Sequence, residues 1–306
     1  MNIHKKKLKV TICIPFYTWN GDKDRTKITE KIFKHYKNLQ ITYKDTIDIS
    51  FVFIGSENKL SKELVEKYFT NSYHEFKQEN IGELIDKKGK TRVDALCPRA
   101  DINIFKVLTA KIKYGINLAR KNDYDILLVA GSNDYIDPLF FRNLLSKYKI
   151  DIPQIYGVSN AKNGNNICCV LPYSYDEDLT ISNDTPMWNG YNNIHDHEYN
   201  RNSIYLGGII GFNRFLNDKY TKYVDNVNAS ECDFEDSCRK EIPNLMIITT
   251  EKLVSLNIKS NSGADLTHME LVNQFIEQGA DICKLHELSE DMKQKILTAI
   301  KYFNDL

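Results

Sequence analysis

Several things are scarce in this 306-residue chain, and each shortage removes a class of protein. With 14 Gly and 7 Pro there is no glycine repeat, no proline-rich spacer and no low-complexity linker. The seven cysteines, Cys13, Cys97, Cys168, Cys169, Cys232, Cys238 and Cys283, form no CxxC and no Cys/His group at zinc spacing. Their odd number and the adjacent pair indicate reduced thiols in a cytosol-like compartment. Charge of either sign is not in excess: 41 Lys and Arg face 41 Asp and Glu, so no global field draws the chain to nucleic acid or anionic lipid. Long apolar runs are missing too. "VTICIPF" near the N-terminus is far too short to cross a bilayer, so the expectation is a cytoplasmic protein with no stable membrane insertion. Neither a GxSxG elbow nor a phosphate-loop or dinucleotide glycine pattern is present, which sets aside hydrolase triads and P-loop enzymes.

What is present is an ordinary globular composition, 42% hydrophobic and 27% charged, with enough apolar material for a real core. The 18 Tyr and the abundance of Asn, Lys and Ile suit an AT-rich genome. Short basic runs, "HKKKLK" and "DKKGKTR", read as solvated surface. "KVTICIPFY" is a β-branched, apolar run stopped by Pro15 and predicts a strand. In "TKITEKIFKHYKNL", Ile28, Ile32, Phe33, Tyr36 and Leu39 fall at helical spacing. "IDISFVFIGSEN" predicts a second strand and "KELVEKYFT" a short helix. Strand, helix, strand, helix at this spacing predicts a parallel sheet with crossover helices.

Further on, "INIFKVLTAKIKYGINLARKN" predicts a long helix with a stripe of Ile104, Val107, Leu108, Ile112, Ile116 and Leu118. It runs into "ILLVA", Ile126 to Ala130, a buried strand. "PLFFRNLLSKY" starts a helix on Pro138. The second half holds strand material in "PQIYGVSN", "NNICCVLPYS", "IYLGGIIGFNRF" and "LMIITTEKLVSLNI", a short helix in "FEDSCRKEI", and helices at the C-terminus. No internal repeat or compositional shift marks a linker, so the expectation is one domain with a C-terminal helical appendage over 261–306.

Open parallel sheets bind ligands beyond the carboxyl ends of their strands. The exits "FYTWNGD", "IGSEN" and "GSND" are therefore expected to share one crevice. Asp134 and Asp137 are oxygen donors suited to Mg²⁺ or Mn²⁺ beside a diphosphate; equally, Asn133 and Asp134 make a turn and Asp137 caps a helix. Glu235 and Asp236 are either a proton-accepting pair or an acidic helix start favoured by the dipole. "YLGGIIGFNR" allows close backbone approach to a ligand or tight strand packing. His195 and His197 in "IHDHE" sit in a polar stretch that reads as a solvated loop.

The order of these pieces resembles a nucleotide-sugar glycosyltransferase of the GT-A type, family 2-like. "VTICIPFYTWN" is similar to that family's opening strand, "LTAKIKYGINLARKNDYDILLVAGSNDYI" to its helix and central strand, and "GSND" stands where the family has its DxD or DD motif. "LGGIIGFNR" is similar to its glycine-rich acceptor segment, and Glu235–Asp236 to its ED pair. The resemblance covers roughly residues 8 to 260. It implies a Rossmann-like, mostly parallel sheet flanked by helices, with 1–150 as the nucleotide-sugar half and 151–260 as the acceptor half.

Carried over by position, the resemblance makes Asp134 the metal-binding carboxylate, with Asn133 in place of an acid. That departure leaves open a weakly held metal or a metal-independent site. Pro15, Phe16 and Tyr17 line the nucleotide pocket, Glu57 accepts from base or ribose, and Lys111 or Lys113 meets the diphosphate. His268 is a late metal or diphosphate contact. The implied cofactor is a divalent metal, Mn²⁺ or Mg²⁺. The implied donor is a nucleoside-diphosphate sugar, a UDP-sugar foremost, with Asp236 as catalytic base in an inverting transfer and Glu235 beside it. The acceptor is carbohydrate, protein or a modified nucleic-acid base; a viral or phage source, and so a host cytoplasm, fits the composition. The polar stretch 176–203, with Trp188 and Tyr191, is either an acceptor platform or a surface excursion. The alternatives are a sugar nucleotidyltransferase and a degenerate GT-A-like scaffold.

Overall fold

The structure, a computed structural model, describes residues 7–16, 22–56, 59–77, 104–157, 167–188, 209–225, 227, 231–248, 254–260 and 282–306. Two sheets organise it. Strands β1 (Leu8–Pro15), β2 (Ile47–Ser56), β3 (Tyr73–Phe76), β4 (Ile126–Ala130), β6 (Gln154–Gly157), β9 (Ile209–Asn213) and β10 (Met246–Ile248) form a seven-stranded sheet in the order β10-β6-β9-β4-β1-β2-β3. The pairs β1–β2, β1–β4, β2–β3 and β6–β10 are parallel, while β9 runs antiparallel to both neighbours. This is the mixed α/β architecture, mostly parallel and flanked by helices, that the sequence predicts.

The apolar runs of the central strands follow from burial on both faces. Val10, Ile12 and Ile14 of β1, with Ile126 and Leu128 of β4, enter one core with helix α1 (Lys23–Thr42). Cys13, Leu127 and Val129 point the other way, into a second core with helices α3 (Ile104–Ala119) and α7 (Glu231–Glu241). Every α1 residue of the predicted stripe is buried, and Asp22 caps its N-terminus by accepting from the Arg25 backbone N–H at 2.8 Å. Gly211 explains part of the glycine-rich segment: a Cβ there would lie 2.2 Å from Leu128 Cδ2 and 2.8 Å from the Leu127 carbonyl. Here glycine serves strand packing.

The second sheet was not foreseen. It orders β12 (Ile282–Lys284), β8 (Pro186–Trp188), β7 (Ile167–Tyr173), β11 (Val254–Ser260) and β5 (Asp134–Ile136) side by side. β5 begins inside the stretch expected to be only a turn, and it pairs antiparallel with β11. Helix α8 (Glu290–Asp305) buries Met292, Ile296, Ala299, Ile300 and Phe303 in the same core as β1 and β11. Its last carbonyls receive Lys31 Nζ, at 3.0 Å from Phe303 and 2.7 Å from Asn304. The remaining described helices are α2 (Lys59–Glu66), α4 (Leu139–Lys147), α5 (Arg214–Lys219) and α6 (Thr221–Val224). Among the described residues no helix is long and apolar enough to cross a membrane.

Candidate functional site

From β1 the chain passes through α1 to β2 on one side, and β4 lies on the other side, so the strand order reverses between β1 and β4. Such a reversal splays the connections apart and opens a crevice at the carboxyl ends. Register places the ends together: Cys13 pairs with Val129 and Pro15 with Ile54, and the Phe16 N–H donates to the Ile54 carbonyl at 3.0 Å. The exits after Pro15, Ile54 and Ala130 are thus neighbours.

Four elements send polar groups to this edge. From α3, Lys111 is 4% exposed, and its amine donates to the Phe16 carbonyl at 2.8 Å. Burial pulls its pKa down to about 8, because a desolvated ammonium is costly. From the start of α1, the Arg25 guanidinium donates to Ser132 Oγ at 3.3 Å. From the turn after β4 come Ser132, Asn133 and Asp134, all buried. From β11, Asn257 donates its amide N–H to Asp134 Oδ1 at 2.8 Å.

The Gly131–Asp134 turn is closely fixed. Tyr36 of α1 places its hydroxyl 3.0 Å from the Gly131 carbonyl and 3.2 Å from that of Asp134, donating between them. Asn133 donates to the Ile258 carbonyl at 3.0 Å and accepts the Ile258 N–H on its own carbonyl at 3.0 Å. Gly131 leaves these side chains their room: a Cβ would stand 2.0 Å from Asp134 Oδ2 and 3.3 Å from Asn133 Oδ1, so both would have to shift. Both side-chain oxygens therefore lie over one bare stretch of backbone.

Of the residues expected in the site, Pro15, Phe16, Lys111, Asn133 and Asp134 come together. Phe16 contributes mainly backbone, since its ring packs edge-on against Phe33, Phe53 and Tyr73 at 5.4, 6.3 and 6.3 Å. Lys113 is half-buried two residues along α3. Asp137 accepts from the Leu139 backbone N–H at 2.8 Å, as a cap of α4 would. Glu235 is 1% exposed and accepts from Arg239 Nε at 2.6 Å. Its neighbour Phe234 rests on Phe212 at 6.1 Å, and Phe212 is paired with Leu127, three residues inward of the strand end. Tyr17, Glu57, His195, His197 and His268, the side chain of Asp236, and 189–203 of the polar stretch lie outside the described residues.

Arg25 and Asn257 are the residues that sequence reasoning missed. Arg25 lies in the first turn of α1, in a polar segment that carries no apolar pattern to single it out. Asn257 gave no signal, because its place beside Asp134 depends on a pairing across 123 residues. Oxygen donors here suit a hard divalent ion. Among the described residues no three His, Cys, Asp or Glu side chains are grouped to hold one. An ion at Asp134 would therefore draw most of its shell from phosphates and water.

No family profile and no curated protein sequence matches the chain. Among solved structures, the inositol-1-phosphate CTP transferase from T. maritima is similar at 11% identity and TM-score 0.43, covering 90% of this chain and 98% of that one. The apo structure of the bifunctional glycosyltransferase WbbM is similar at 13% identity and TM-score 0.37, over 81% of this chain and 40% of its own. CMP:2-keto-3-deoxy-manno-octonic acid synthetase complexed with CTP is similar at 10% identity and TM-score 0.34, over 88% and 99%.

Proposed function

We propose that this chain is a transferase that binds a nucleoside-diphosphate sugar at the β1–β4 crevice and passes the sugar to an acceptor hydroxyl. The observation that carries the reading is that Arg25 with Ser132 and Asp134, and Lys111 with the Phe16 carbonyl, stand at the carboxyl ends of the two strands, β4 and β1, that flank the strand-order reversal. A diphosphate needs donors and positive charge, which Arg25 supplies as a planar fork and Lys111 as a desolvated ammonium. The backbone at Phe16, fixed by Lys111, forms the nucleotide wall, and Tyr17 and Glu57 are further nucleotide contacts in this reading.

In this reading Asp134, with Asn133 beside it, holds a divalent ion, Mn²⁺ or Mg²⁺, which when bound neutralises charge on the departing diphosphate. Asp236 accepts the proton of the acceptor hydroxyl, and that role falls to it rather than to Glu235, whose carboxylate is held by Arg239. Attack from the face opposite the diphosphate inverts the anomeric carbon. The acceptor class is a carbohydrate, a protein or a modified nucleobase.

Calorimetric titration with UDP, GDP, CDP, TDP and CTP, with and without Mn²⁺, tests the binding half. One nucleoside diphosphate is expected to bind, and Arg25→Ala to weaken it roughly 10- to 100-fold, as loss of a charge-assisted hydrogen bond does. Asp134→Ala is expected to remove the Mn²⁺ dependence. Binding of CTP in preference to every diphosphate would turn the reading to nucleotidyl transfer, and binding of none would leave a scaffold.

A further inference from the structure

We propose that Asn257 is a ligand to the divalent ion of this crevice, supplying from β11 the oxygen that the absent second acid of the motif does not. The inference rests on the metal-assisted reading of the Asp134 site and names a residue that the motif does not contain.

Register sets Asn257 of β11 directly opposite Asp134 of β5. Its amide nitrogen donates to Asp134 Oδ1 at 2.8 Å. An ionised carboxylate only accepts, so without an ion the amide must turn its N–H₂ toward Asp134. That orientation leaves Asn257 Oδ1 shut away from solvent with no hydrogen-bond partner among the described residues. A buried acceptor without a donor is costly and calls for an explanation.

A half-turn of the amide supplies one. It exchanges nitrogen for oxygen and sets Asn257 Oδ1 near 2.8 Å from Asp134 Oδ1, the present N···O distance. Adjacent oxygens around an octahedral Mg²⁺, each 2.0–2.1 Å from the ion, are about 3 Å apart. The pair is thus spaced as two neighbouring ligands of one ion. Without the ion the same side chain donates to the carboxylate and keeps it in place. Asn133 Oδ1 and Asp134 Oδ2 both lie over the bare Gly131, so a second amide oxygen stands near the same carboxylate. The set carries one negative charge, which fits an ion held firmly only with phosphates beside it.

The experiment measures Mn²⁺ binding by the whole protein, by electron paramagnetic resonance of the free ion and by calorimetry. It compares wild type with Asn257→Asp and Asn257→Leu, and adds thermal melts with and without Mn²⁺. If Asn257 is a ligand, Asn257→Asp binds Mn²⁺ roughly tenfold more tightly, because ligand charge sets affinity. Its two facing carboxylates lower the melting temperature without the ion, and Mn²⁺ restores it. Asn257→Leu binds Mn²⁺ at least tenfold more weakly and gains less from it in the melt.

If Asn257 only positions Asp134, the aspartate variant also binds more weakly than wild type, which overturns the proposal. Equal Mn²⁺ affinity in wild type and Asn257→Leu overturns it as well, and that arm can still overturn it should Asn257→Asp fail to fold. Nucleotide binding with no Mn²⁺ binding in any variant sinks the inference and leaves the transferase reading standing. The expected Mn²⁺ series in a protein that binds no nucleotide does the reverse.

Discussion

Lys111 brings an amine into a place that is only 4% exposed, at the mouth of the crevice, and burial holds its pKa near 8 against an ordinary 10.5. A lysine whose folded pKa is depressed charges more easily in the unfolded chain, so its stabilising contribution is full above pH 10.5 and is lost as the pH falls toward 8. Relative to Lys111→Met, wild type should gain stability as the pH rises from 8 to 10.5, by up to about 3 kcal/mol at 1.36 kcal/mol per unit. Urea denaturation of both proteins at pH 7.5, 9 and 10.5 measures this, and a constant difference would show that the amine is well solvated. A charge kept at such expense is ordinarily kept for a ligand. A bound diphosphate should raise the pKa again, so nucleotide affinity should fall from pH 7 to pH 9 in wild type and stay level in the methionine variant.

At the scale of elements, the informative piece is β5, whose three residues carry Asp134 out of one sheet and into the other. The sequence made β4 plain, since five apolar residues ending in Gly, Ser, Asn and Asp have no other economical reading, and it placed that end at the crevice. It could not show β5: "DYI" is too short for a period to appear, and its partner lies some 120 residues later. The same pairing explains why position 133 holds Asn where the resembling family has an acid. Asn133 must donate to the Ile258 carbonyl, and a carboxylate there would face oxygen with oxygen. Asn133→Asp should therefore destabilise the protein by about 1–3 kcal/mol, the cost of an unsatisfied buried pair, even though it restores the expected acid. Equilibrium unfolding of that variant checks it; an unchanged midpoint would mean that the Ile258 contact is dispensable. Arg25 was missed because its aim at Ser132 depends on the entry angle of α1, which the sequence does not show.

At the scale of the whole molecule, the open matter is how the C-terminal residues belong to the fold. The helical pattern of 290–305 is visible in the sequence; what it packs against is not, because an amphipathic stripe names no partner. In the structure, Met292, Ile296, Ala299, Ile300 and Phe303 enter the core shared by β1 and β11, and Lys31 and Lys34 of α1 reach back to the final carbonyls. Burying one large apolar side chain contributes about 1.5–3 kcal/mol. Four such residues with the alanine reach on the order of 10 kcal/mol, which matches the entire net stability of a typical domain. A chain ended at Leu288 should thus lose its cooperative thermal transition as well as nucleotide binding, by calorimetry and titration. A separable appendage would behave otherwise: the shortened chain would melt cooperatively and bind nucleotide with unchanged affinity. The argument reaches the site through α1, which presents Ile28, Ile32 and Phe33 to this core while the same helix aims Arg25 at Ser132 and Tyr36 at the carbonyls of Gly131 and Asp134. Loosening α8 should accordingly reduce affinity before it abolishes folding. Ile300→Ala, a cavity expected to cost about 2–5 kcal/mol, is the variant in which the two effects can be separated.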